Sequence, residues 1–352
     1  MNYETELADL IMTLVKEGGS DLHLMVGSFP TLRVNRDLIP LTRKRELTAE
    51  DTLAFLRVMI GEKSLTNFVV NQEIDFSYEH AKEYRLRGNA SFQRGVISVA
   101  LRLVPKVKSM SELNLPEQLI HIARERQGFF LVVGPVGQGK STTLASMIGL
   151  INSEAKRHIV TIEDPIEFRF DQDKSMIEQR EVGIDTKDFH TALTHVFRQD
   201  ADVIMIGEMR DKETISAAVT AAETGHLVLS TLHSNSAAQT VDRIIDSFPA
   251  DQQDQIRLQL ASSLLGILSQ RLVPRVSGGL IPAFELLLNT PAVSNLIREK
   301  RTHEIDVVIE TGSQDGMIDL DRHLAELVRN GEVTKDDALT FARRQSMFER
   351  LL

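Results

Sequence analysis

Apolar residues recur along the first hundred positions at two different spacings. From Leu7 to Lys16 and from Ala49 to Ile60 they fall three and four apart, the spacing of a helix with one buried face, and Thr48 stands where an N-cap belongs. From Glu73 to Tyr78 polar and apolar residues alternate, and Val96 to Val104 is a run of β-formers; both predict half-buried strands. Near residue 105 the pattern changes to short continuous apolar runs, Gly128–Val133, His158–Ile162, Val203–Ile206 and His226–Ser230, set between helical stretches. Runs of this kind predict strands buried on both faces, as in a parallel sheet covered by helices. The pattern therefore predicts an α/β protein: a small mixed α/β N-terminal domain over 1–104, a linker over 105–112, and a second domain over 113–352 with a mostly parallel sheet. Near the end, Leu320, Leu324 and Leu327 share one helical face, which predicts C-terminal helices packed on their own subunit.

Composition narrows the setting. The 352 residues suit two domains, and 42% hydrophobic with 26% charged residues is ordinary for a folded chain without a disordered bias. No apolar run reaches membrane-spanning length and Met1-Asn2-Tyr3-Glu4 does not open like a signal peptide, so the expectation is a soluble cytoplasmic protein. The absence of Cys fits a reducing compartment and excludes Cys-based zinc or iron–sulfur sites. A formal charge of −10 argues against a broad nucleic-acid surface.

The segment after the first apolar run carries the chemistry. Gly134-Pro135-Val136-Gly137-Gln138-Gly139-Lys140-Ser141 matches G-x-x-x-x-G-K-[ST], preceded by a predicted strand and followed, from Thr142 to Ile151, by a predicted helix. In that order the loop's N–H groups point inward around phosphates and the helix N-terminus adds its positive dipole end. Lys140 supplies charge to the β- and γ-phosphates, and the Ser141 hydroxyl can ligate Mg²⁺. ATP with Mg²⁺ is the expected ligand pair. The three later runs end in polar residues, as parallel strands do when a ligand lies at their carboxyl edge. They deliver Glu163, Glu208 and His233. Hydrolysis needs one carboxylate to activate water and another acid to support Mg²⁺. The residue types alone leave open which of Glu163 and Glu208 does which. His233 suits γ-phosphate sensing, whereas His226, at the other end of its strand, suits packing equally well.

Together GPVGQGKSTT, TIEDPIEF, VIMIGEMRD and AETGHLVLSTLHSN, in this order, resemble the secretion ATPase superfamily, and specifically the type IV pilus retraction ATPases of the PilT/PilU kind. GGSDLHL at Gly18–Leu24 and RLRGNASFQRG at Arg85–Gly95 resemble that family's N-terminal domain. Phe248–Arg275 and Glu285–Glu299 resemble its C-terminal helices. The resemblance implies a PAS-like N-terminal domain followed by a RecA-like P-loop ATPase domain. It implies a catalytic role for Glu163 and an atypical Walker B role for Glu208, with Ser141 and Glu208 at the metal. It further implies a homo-hexamer, or a mixed ring with a paralogous motor, in which N-terminal arginines complete each nucleotide site. Arg87 and Arg102 match those positions best, with Arg94 in reserve. An inner-membrane pilus platform protein would be the partner, and twitching motility the outcome.

Two absences favour retraction over extension, namely the missing four-Cys zinc module and the short N-terminal region. Ala292-Val293-Ser294-Asn295-Leu296-Ile297-Arg298-Glu299 stands where the family's retraction motors read close to AIRNLIRE, a departure that resembles the accessory PilU kind. Gln138 replaces the usual Ser of the loop, with little effect expected because a backbone N–H would do the cradling. The competing readings are a nucleotide-dependent assembly module and a DNA translocase. Intact Lys140, Glu163 and Glu208 oppose the first and the acidic net charge opposes the second.

Overall fold

A computed structural model describes residues 2–34, 37–81 and 84–352. The chain divides into two compact units, Met1–Lys106 and Val107–Leu352.

In the first unit, helices α1 (Tyr3–Lys16) and α2 (Ala49–Asn71) cover one face of an antiparallel sheet. Its strands are β1 (Asp21–Met25), β2 (Thr31–Val34), β3 (Asp37–Pro40), β4 (Glu73–His80), β5 (Tyr84–Gln93) and β6 (Val96–Leu103), in the order β3-β2-β1-β6-β5-β4. Thr48 caps α2 reciprocally with Asp51, and the helix runs past Ile60 after a break at Gly61, whose φ is 72°. Leu22, Leu24, Leu86, Val99 and Leu101 face the helices, so the residues between them lie on the opposite face of the pleat.

In the second unit, seven strands stand in the order β13-β12-β7-β11-β10-β8-β9, all parallel except β13. They are β7 (Gly128–Val133), β8 (His158–Glu163), β9 (Met176–Glu181), β10 (Val203–Ile206), β11 (Leu227–Leu232), β12 (Leu264–Pro274) and β13 (Leu280–Leu288). Along β7, Phe129, Leu131 and Val133 enter one core while Phe130 and Val132 enter the other, which explains why the run has no polar side. Helices α3 (Gln118–Arg124) and α4 (Lys140–Glu154) pack on one face. The helices α5 (Phe189–Val196), α6 (Lys212–Glu223), α7 (Ala237–Asp246) and α8 (Ala250–Ser263) pack on the other.

The segments expected as C-terminal helices are in part strand. Within Phe248–Arg275 only α8 is helical, and Leu264 onward becomes β12 beside β7; Glu285–Leu288 closes β13 before α9 (Pro291–Arg298). Leu264-Leu265-Gly266-Ile267-Leu268 is a continuous apolar run, and the open edge of β7 gives it backbone partners that a helix cannot use. Beyond α9 and α10 (Ile305–Thr311), α11 (Leu320–Arg329), α12 (Lys335–Phe341) and α13 (Gln345–Leu351) build a smaller core in which Leu320, Leu324 and Leu327 meet Val273, Ile281 and Ala283 of β12 and β13.

His323 of α11 is half-buried in this layer. Its ring lies flat on Phe284, centroids 5.2 Å apart, and its Nδ1 accepts the Phe284 N–H at 3.0 Å. Burial pushes its pKa down from 6.5 to about 4. Between those values the unfolded chain holds the extra proton, so stability is full above about pH 6.5 and is lost as pH falls toward 4. Denaturant unfolding at pH 7 and pH 5 should show a loss of about 2 kcal/mol that His323→Phe removes. Parallel losses in both proteins would show that His323 is not the group responsible.

Candidate functional site

The carboxyl ends of the central strands are level. Ile162, Ile206, Ser230 and Leu131 stand abreast on β8, β10, β11 and β7, so the loops that follow leave from one edge. The Thr231 hydroxyl donates to Gly207 O at 2.7 Å, and Gly207 N donates to Ile162 O at 2.8 Å, which pins the strand ends to one another.

Residues 134–139 arch from β7 into α4, with Pro135, Val136 and Gly137 exposed at the crest. Gly134 has φ 147° and Gly139 φ 76°. A Cβ would lie 2.6 Å from Gln270 O at the first and 2.9 Å from Gln270 Nε2 at the second, so side chains are excluded by both conformation and space. Gln270 of β12 clamps the arch: its amide donates to Gln138 O at 2.7 Å and its carbonyl accepts from Thr143 Oγ1 at 2.7 Å. The Gln138 side chain is itself engaged, accepting Leu272 N at 2.6 Å. It holds the loop to β12, a role that reading it as a mere replacement for Ser overlooks.

Lys140 begins α4 and is 7% exposed. Its Nζ donates to Gly134 O at 3.0 Å and Pro135 O at 2.9 Å, and stands 3.4 Å from His233 Nδ1; burial lowers its pKa. His233 Nε2 in turn meets Glu208 Oε2 at 3.2 Å, so the imidazole bridges lysine and carboxylate. Arg210, which sequence reasoning missed, pairs with the other oxygen of Glu208 and reaches Asp164 at 3.7 Å.

Glu163, the last residue of β8, is 6% exposed. Its Oε1 accepts Thr161 Oγ1 at 2.7 Å and Gln179 Nε2 at 3.2 Å, and burial raises its pKa against those two bonds. It lines a cavity of about 240 Å³ together with Val136, Gly137, Lys140, Ser141, Glu208 and His233. The structure thus brings Lys140, Ser141, Glu163, Glu208 and His233 together. Thr142 follows Ser141 in the first turn of α4. His226 packs instead: its Nδ1 meets Ala221 O at 3.0 Å and its ring stands edge-on to Phe197.

Arg87 and Arg102 belong to the first unit, where they are cross-strand neighbours on β5 and β6. Arg94 sits in the turn between those strands with φ 51°. Ion pairing by Asp21 and Arg33 beside Arg102 had no signal in the sequence pattern.

A family model described as "Type II/IV secretion system protein" matches residues 8–308. The type IV pilus retraction ATPase PilT of Pseudomonas aeruginosa is 41% identical over 339 residues, covering 95% of this chain and 97% of that protein. The type IV pilus ATPase PilU of the same organism is 40% identical, covering 96% and 88%. A crystal structure of the pilus retraction motor PilT with bound ADP superposes with a TM-score of 0.90 at 40% identity, covering 97% of this chain and 98% of that one. The chain belongs to the type II/IV secretion system protein family and, within it, to the pilus retraction ATPases of the PilT/PilU kind.

Proposed function

We propose that this chain is a motor ATPase that assembles into a hexameric ring and hydrolyses ATP to drive type IV pilus retraction, the fibre disassembly behind twitching motility. The observation that carries the reading is the convergence of Lys140, Glu163, Glu208 and His233 on one phosphate-binding arch.

In this reading the N–H groups from Val136 to Thr142 cradle the phosphates, with Gly134 and Pro135 shaping the start of the arch, and Lys140 exchanges its loop carbonyls for β- and γ-phosphate oxygens. Glu163 takes a proton from the attacking water. Its raised pKa suits a base, and Thr161 and Gln179 fix its direction. Ser141 and Glu208 would hold Mg²⁺. They offer hard oxygens, and no cage of three or more His or acidic side chains stands among the described residues, which suits an ion shared with substrate phosphates. Held by Ser141 and Glu208, such an ion would supply positive charge against the charge developing on the phosphates. His233, already tied to both Lys140 and Glu208, registers the γ-phosphate through that pair.

Arg87 and Arg102 supply positive charge against the charge developing on the transferred phosphoryl group, and the cycle of binding, hydrolysis and release changes the shape of the ring. That motion acts on an inner-membrane pilus platform protein, with the ring on the cytoplasmic side and peripheral to the membrane. No helix among the described residues is long and apolar enough to cross a membrane itself.

A second reading, an accessory motor of the PilU kind in a mixed ring with a paralogous motor, is favoured by Val293 and Ser294. Both are buried, and the Ser294 hydroxyl donates to Ala261 O at 2.9 Å. The departure from AIRNLIRE therefore alters how α9 seats on α8, while Asn295 and Arg298 stay on its exposed side. Mg²⁺-dependent ATP hydrolysis per subunit over a dilution series tests the first reading. The rate should fall steeply as the ring dissociates. A dilution-independent rate overturns the ring, and no hydrolysis at any concentration transfers the chain to the accessory reading.

A further inference from the structure

The sheet of the first unit carries its core on one face and a row of charge on the other. Pairing places Arg33, Asp21, Arg102 and Arg87 side by side on β2, β1, β6 and β5. Two guanidinium groups thus flank one carboxylate, and a third stands one strand beyond, in a chain whose net charge is −10. Arg87 and Arg102 are directly opposed, an arrangement in which like charges repel and weaken the strand pair. Asp21 relieves only part of this. Its Oδ1 accepts Arg102 Nε at 2.8 Å, its Oδ2 accepts the Ser20 hydroxyl at 2.7 Å, and Arg33 Nε stands 4.0 Å from Oδ2. Among the described residues the Arg87 side chain has no hydrogen bond or ion pair, and the Arg102 side chain has only the one to Asp21. Asp21 is 7% exposed, whereas the Arg102 side chain is 68% exposed. A buried carboxylate therefore grips the stem-side nitrogen of an exposed guanidinium. Among the described residues its two terminal nitrogens, whose fork matches phosphate oxygens, have no partner.

We propose that Asp21 is a positioning residue for this arginine pair: by holding Arg102 Nε it fixes the guanidinium so that the two terminal nitrogens of Arg102, alongside Arg87, stay free for phosphate oxygens of the nucleotide. The inference rests on the reading that Arg87 and Arg102 meet the nucleotide. It gives Gly18–Leu24 a part in the chemistry that the arch and strand ends leave without one. A purely structural ion pair between β1 and β6 would lower the melting temperature and spare kcat at saturating ATP. A positioning carboxylate lowers kcat, and only while Arg102 is present to be positioned.

The test is steady-state Mg²⁺-ATP hydrolysis by the full chain, by Asp21→Asn, by Arg102→Ala and by the double variant. Asp21→Asn should lower kcat about tenfold or more, and the double variant should be no slower than Arg102→Ala alone, because residues acting through one another are not additive. Losses that multiply overturn the proposal, as does a wild-type kcat in Asp21→Asn. Should Asp21→Asn not fold, Asp21→Glu, which keeps the charge and moves it by one methylene, enters the same cycle. Arg102→Ala turning over at the wild-type rate removes the parent reading as well. The two failures are distinct, since the narrower one leaves Arg102→Ala impaired and Asp21→Asn unaffected.

Discussion

Glu163→Gln should bind nucleotide and fail to turn it over, with kcat lowered about 10²- to 10⁴-fold, the range a positioned general base supplies. Nucleotide affinity should stay within about threefold, because the arch, Lys140 and Ser141 are untouched. The fold should not suffer. Burial raises the Glu163 pKa, so the ionised carboxylate is carried in the folded state at a cost that grows as pH rises past the ordinary carboxylate value. A neutral amide removes that cost, and the Thr161 hydroxyl at 2.7 Å still finds an oxygen to donate to. The melting temperature at pH 7 should therefore equal or exceed that of the wild type. Phosphate release, a nucleotide titration and a thermal melt on one preparation check all three. A loss of kcat below tenfold would hand water activation to another carboxylate, Glu208 first.

Arg87→Ala should lower kcat by about 10³ to 10⁵, the range seen when an arginine that neutralises developing phosphoryl charge is withdrawn. Arg87 has no partner among the described residues, so its removal breaks no bond within the fold, and it relieves the repulsion from Arg102 across the strand pair. Wild-type melting with lost turnover is the expected combination. Full turnover in Arg87→Ala would sink its assignment, and loss of turnover accompanied by an early melt would show a structural role instead.

The parallel sheet was legible wherever a strand is buried on both faces, because burial on two sides leaves no polar position to obscure the run. Gly128–Val133 and Val203–Ile206 are strands with those same ends, and the loop and helix after β7 were fixed by spacing alone. The edge strand β9, Met176-Ile177-Glu178-Gln179-Arg180-Glu181, was not legible: the run carries four polar or charged residues after Ile177 and only Ile177 is buried. For β12 and β13 the family resemblance pointed to helices, and pairing of β12 with β7 and of β13 with β12 decided otherwise. In the site, Lys140, Glu163, Glu208 and His233 were found by their place after strands. Gln270 and Asp21 were not, because each acts by reaching across to an element far away in sequence, and pattern within a segment holds no record of that; Arg210, two residues after Glu208, was not singled out because its pairing with that carboxylate leaves no periodic signal.

Gln270 also determines what the arch can transmit. Both ends of its amide are committed, one to Gln138 and one to Thr143, and Leu272 two residues on takes the Gln138 side chain. The arch is thereby riveted to β12, and β12 carries Val273 into the core of the last three helices. A loop free to flex would absorb the strain of gripping and releasing phosphates locally. This one is stiff along a single line, so whatever the phosphates do to it is felt as a tug on the strand beneath and on the C-terminal layer hung from that strand.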